Sequence, residues 1–131
     1  EYNVYPNPSG VVRTSLSYTV PGNANILFSV GHVHIGGDNI TLYRGPEGQE
    51  EAICTSTPRY GTEVGVAGNE KGYVVAIPPC SFKGAGYPLK KGDRLLLESY
   101  YSVAPEDPRT FDGGWHGGVM SLWYMAVVPS A

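Results

Sequence analysis

Short runs rich in β-branched and aromatic residues alternate with turn signals along this chain, and no stretch carries a helical period of useful length. The runs fall at 11–20, 24–34, 38–44, 51–57, 60–67, 73–77, 94–103 and 119–128. Pro21-Gly22-Asn23, Gly45-Pro46-Glu47-Gly48, Gly68-Asn69-Glu70-Lys71-Gly72 and Lys90-Lys91-Gly92-Asp93 separate them. The 18 glycines and 11 prolines match a chain of many turns. Residues 1–9 read as an extended lead-in, and 81–92 and 104–118 as loops. There is no internal repeat and no second composition zone. The expectation is one all-β domain over 1–131, an antiparallel β-sandwich of jelly-roll type with about eight strands.

At 131 residues such a domain buries a core without needing metals or many disulfides. The net charge of −3, from 9 basic and 12 acidic side chains, is mild, and no basic cluster exceeds Lys90-Lys91. This speaks against nucleic acid and anionic membranes as partners. No apolar run approaches the roughly 20 residues that span a bilayer. We expect a monomer.

Cys54 and Cys80 have no metal-ligand or redox spacing, which favours one disulfide over two buried thiols. Closing that loop would stabilise the fold by roughly 3 kcal/mol in the chain-entropy view. A disulfide in a small, loop-rich chain beginning at Glu1 points to a secreted protein. Asn39-Ile40-Thr41 is an N-glycosylation sequon, which makes Asn39 a candidate acceptor.

The chemistry concentrates in two motifs. In Gly31-His32-Val33-His34-Ile35-Gly36-Gly37 the two histidines are two apart, so on a strand they face the same way with Cα atoms about 6.5–7 Å apart. Ile26, Phe28 and Val30 continue that row, so the pair is expected to close a buried face. The third histidine, His116, lies four residues before Met120 in His116-Gly117-Gly118-Val119-Met120. A pair of histidines on a strand is also met without any metal, and Met with Trp at alternating spacing is commonly core. Bringing the motifs together gives imidazole donors and a soft thioether, a set that suits copper and Cu(I) in particular. Zinc on three histidines with an open water position is the alternative. Asp38 and Asp112 are placed to orient a ligand imidazole. The familiar serine-hydrolase, zinc-protease and phosphate-loop sequences are absent.

These residues resemble a known family. Gly-His-Val-His-Ile-Gly-Gly, the late Gly-Asp-Arg-Leu-Leu-Leu-Glu-Ser-Tyr-Tyr run and the closing His-Gly-Gly-Val-Met-Ser-Leu-Trp-Tyr-Met look like the second copper domain of the copper type II, ascorbate-dependent monooxygenases, of which peptidylglycine α-hydroxylating monooxygenase is the best known. They look more closely like the stress up-regulated Nod 19 proteins. The resemblance runs from about His32 to Val128. It implies a jelly-roll sandwich with one copper on His32, His34 and Met120, with His116 as an additional candidate. The peptide-hydroxylating members grip a substrate carboxylate with an arginine and an asparagine where this chain has Val30 and Leu122. Only Tyr124 matches, as a candidate substrate contact. The residue after the methionine is cysteine there and Ser121 here.

Three function classes follow. In the first, reduced copper activates oxygen or peroxide to oxidise a small-molecule, peptide or glycan substrate near Tyr124, Trp115 and Tyr100-Tyr101. In the second, the site carries or senses copper without catalysis. In the third, the chain is a carbohydrate-binding jelly-roll module with no functional metal.

Overall fold

A computed structural model of the chain describes residues 1–103 and 114–131. Twelve strands are present among the described residues: β1 (Tyr2–Val4), β2 (Val11–Thr19), β3 (Ala24–Val33), β4 (Gly37–Arg44), β5 (Glu51–Ser56), β6 (Arg59–Tyr60), β7 (Val74–Ala76), β8 (Cys80–Ser81), β9 (Tyr87–Leu89), β10 (Arg94–Ser102), β11 (His116–Val119) and β12 (Ser121–Pro129). One four-stranded sheet runs in the order β2-β10-β4-β5. The other runs β12-β3-β8, with β9 also paired to β3. All of these pairings are antiparallel.

The two sheets form a β-sandwich. Ile26 and Val33 of β3 meet Ile40 and Leu42 of β4 and Leu95 and Tyr101 of β10, all nearly or wholly buried. Burying such side chains stabilises by about 1.5–3 kcal/mol each, which is why the apolar alternation of these strands fixes their register. Cys54 and Cys80 are joined, as expected, with Cα atoms 6.1 Å apart. The bond links β5 of one sheet to β8 of the other, so it staples the sandwich across its layers.

The strand count exceeds the expected eight because the turn-rich stretches contribute short pieces. The lead-in places β1 against β11, and the 81–92 loop supplies β9. The expected strand at 60–67 shrinks to Arg59–Tyr60 followed by isolated bridges at Gly61 and Glu63. Gly65 is in the left-handed region at φ 74°, where a ladder cannot continue. The run at 119–128 is divided at Met120. There β11 leaves β1, and β12 starts its ladder with β3.

Strand β3 carries a bulge that decides which way the histidines face. Ala126 pairs with Phe28 but Val127 pairs with Ile26, so Leu27 is an extra residue in β3. Ile26 is buried, Leu27 and Phe28 are both exposed, and Ser29, Gly31 and Val33 then take the inward positions. The expectation that Ile26, Phe28, Val30, His32 and His34 form one buried row is therefore corrected. Beyond the bulge the row containing His32 lies on the outer face.

Candidate metal centre

The two histidine-bearing segments meet where β3 ends and β12 begins. Ser121 pairs with Val33 and Leu122 with His32, so Met120 stands opposite His34, one step past the end of the ladder. His32 and His34 are both half-buried, with ring centroids 5.1 Å apart and planes nearly perpendicular. Tyr124, on the same outer row of β12, sets its ring edge-on to His32 at 6.3 Å.

Close packing beneath the pair explains the glycine between Val30 and His32. A Cβ on Gly31 would overlap the Ile40 side chain and the Trp123 ring, and the Gly31 amide donates to the Ser56 hydroxyl at 2.9 Å. After His34 the chain turns sharply, with the Gly37 amide donating to the His34 carbonyl at 3.0 Å. Gly36 holds the third turn position at φ 92°, the left-handed conformation that a type II turn demands there. A Cβ at Gly36 would also enter the His116 ring, so the turn doubles as a seat for that imidazole.

Tyr101 is the residue that ties the two motifs together. It is fully buried in β10. Its hydroxyl accepts a hydrogen bond from the His34 amide at 2.9 Å and donates to the Met120 carbonyl at 2.5 Å. Burial, above all, pushes its phenol far above the ordinary tyrosine value, so it stays protonated and keeps donating. Sequence reading missed this role, although the Tyr-Tyr pair in an alternating strand gave a signal: one ring must point inward and the other out. Tyr100 is the outward one and hydrogen-bonds Glu98 on the opposite sheet. Neither tyrosine therefore lines the histidine face as expected. Trp115 stacks on Tyr5 at 5.5 Å.

His116 is buried, and its Nε2 lies 3.0 Å from the Ser102 carbonyl, to which it donates. Among the described residues no three His, Cys, Asp or Glu side chains gather as a metal cluster. Asp38 accepts the Ser102 hydroxyl at 2.8 and 2.9 Å rather than an imidazole. Asp112 lies outside the described residues. Asn39 is half-buried in β4, opposite Tyr100. A depression of about 390 Å³ opens beside the pair, lined by His34, Ile35, Tyr73, Val74 and His116.

The donor set at the strand ends has a definite chemical character. Burial first, and then the neighbouring His34, lower the His32 pKa below the ordinary histidine value. The neutral ring, the form that binds metals, is thereby favoured. Two imidazoles and a thioether with no carboxylate among them would make a soft donor set, which fits a copper ion better than a hard divalent cation.

A family model described as stress up-regulated Nod 19 matches residues 4–130 of the chain. No curated protein matches it.

Proposed function

The chain belongs to the stress up-regulated Nod 19 family, and from that premise we propose that it is a secreted protein holding one copper ion on His32, His34 and Met120. The observation that carries this reading is the register placing Met120 opposite His34, beside a histidine pair 5.1 Å apart. The likeness of these motifs to the catalytic-copper domain of the ascorbate-dependent monooxygenases supports it. So does the disulfide, which belongs to oxidising compartments.

Bound there, copper supplies one-electron redox chemistry and, when reduced, activation of oxygen or peroxide. The protein's own residues do the rest. The Tyr101 hydroxyl fixes the backbone of two donor residues, His34 and Met120. Tyr124 flanks His32 on the solvent side and offers a ring and a hydroxyl to an incoming substrate. His116 is left out of the donor set because its imidazole does not gather with those of His32 and His34 as one cluster among the described residues.

The test is an anaerobic Cu(I) titration against a chromophoric competitor. One tightly held equivalent is the expected result. Zinc held tightly without displacement by copper would replace the reading with the zinc alternative. Ascorbate-dependent oxygen consumption by the loaded protein then separates oxidation from copper carriage, since a carrier stays silent.

A further inference from the structure

The opposite sheet presents a second arrangement on its outer face. Along β10, Leu96, Glu98 and Tyr100 point outward. The register sets Leu96 beside Tyr43 of β4, Glu98 beside Ser15 of β2, and Tyr100 beside Arg13. A trough of about 550 Å³ runs along this face from Arg94 to Glu98, within the range of about 300–1,000 Å³ usual for small-ligand sites. Tyr43 and Leu96 give it an apolar floor. The β4–β5 turn, with Glu47 and Gly48, stands at one end, and Arg13 stands at the other.

Two guanidinium–carboxylate pairs border the trough. Arg13 grips Glu98 through Nε at 2.6 Å and through Nη2, while the Tyr100 hydroxyl donates to the other Glu98 oxygen at 2.7 Å. Arg94 holds Glu50 at 2.8 Å. Glu98 is only 8% exposed although it sits on an outer face, so its carboxylate is held in place between Arg13 and Tyr100. Among the described residues the hydroxyls of Ser15 and Tyr43 and the carboxylate of Glu47 have no hydrogen-bond partner.

The chemistry of this surface selects its ligand. Three carboxylates against two guanidinium groups repel an anion, and a cation meets Arg13 and Arg94. Hydroxyl groups suit both members of each pair, since they donate to the carboxylates and accept from the guanidinium groups. The floor of ring and aliphatic carbon is a place for the C–H face of a sugar ring. We propose that this trough binds a neutral oligosaccharide lying along β10, on the sheet away from the histidine pair and independently of any metal.

Isothermal titration of the whole chain with cellohexaose, xylohexaose, mannopentaose, chitohexaose and an oligogalacturonate tests this. At least one neutral oligosaccharide should bind, with affinity unchanged by EDTA. Tyr43→Ala should weaken that binding at least tenfold. Ser15→Trp, which fills the trough from an exposed position and spares the core, should do the same while leaving the circular dichroism spectrum intact. Binding of none of the neutral sugars at millimolar concentration would overturn the proposal. So would binding of the acidic one alone, loss on chelation, or full affinity in Ser15→Trp.

Discussion

The hydroxyl of Tyr101 donates to the carbonyl of Met120 at 2.5 Å while accepting the His34 amide, so a single buried oxygen sets the spacing between the two candidate ligand segments. Tyr101→Phe removes that oxygen and leaves the amide of half-buried His34 and the carbonyl of half-buried Met120 without this partner. A fully buried group left so costs about 1–3 kcal/mol, and for these two partly buried ones we expect roughly 1–3 kcal/mol of lost stability together, read as a lower urea midpoint. Cu(I) affinity should fall at least fivefold in the same variant at temperatures where it remains folded.

His32→Ala and Met120→Ala should each weaken Cu(I) binding, the histidine variant by at least a hundredfold and the methionine variant by about tenfold, because a thioether is the weaker donor of the two. Both positions are half-buried at the outer strand ends, so melting temperatures should change little. Competition titration on each purified variant decides this. Unaltered affinity in both would sink the assignment.

Gly36→Ala should be among the most damaging single changes in the chain. It places a side chain at φ 92° and inside the His116 ring, two independent penalties that sum to roughly 2–4 kcal/mol. Denaturant unfolding gives the magnitude. Chemical shifts of the His116 ring protons should move with it, since the ring loses its seat.

Reduction of the Cys54–Cys80 bond, or Cys54→Ser with Cys80→Ser, should cost about 3 kcal/mol. The bond joins an edge strand of each sheet, so hydrogen exchange should rise first in β5 and β8 and least at the β3–β12 ladder. Calorimetry with and without reductant measures the first effect, and amide exchange the second.

Stability should also depend on Glu98 at acid pH. Burial, the largest influence, pushes its carboxyl up, but the hydrogen bonds from Arg13 and Tyr100 outweigh it and bring the group below its ordinary 4.5. A lowered folded-state value means that the contribution is present above the ordinary carboxylate range and is lost as pH falls through the depressed value. Urea midpoints followed from neutral into acid pH should drop more for the wild type than for Glu98→Gln.

Much of this molecule was legible before any coordinates. The β-branched runs bounded by Gly and Pro give the sandwich and place β2, β3, β4, β5 and β10 within a residue or two. The disulfide follows from the count and spacing of two cysteines. Legibility failed where alternation is interrupted by something with no residue signature. Leu27 is an ordinary apolar residue in an apolar row, and nothing local marks it as the one left over when β3 pairs with β12. The bulge is set by the register of partners a hundred residues away. Tyr101 was hidden for a similar reason, since its hydroxyl acts on two backbones brought together only by the fold. The surroundings of His116 were hidden too, since its burial and the hydrogen bond of its Nε2 to Ser102 depend on how β10 ends.

The extra residue at Leu27 makes β3 a strand with two phases, core-facing by one parity before it and by the other after it. Deleting a single codon there would restore unbroken alternation with Phe28 still outward and Ser29 still inward, so His32 would keep its outer position. Were the present residues instead paired without the bulge, His32 would be driven into the layer between the sheets and Val33 turned out to solvent. The bulge thus lets β3 carry one residue more than its partner strand while the histidine pair stays on display.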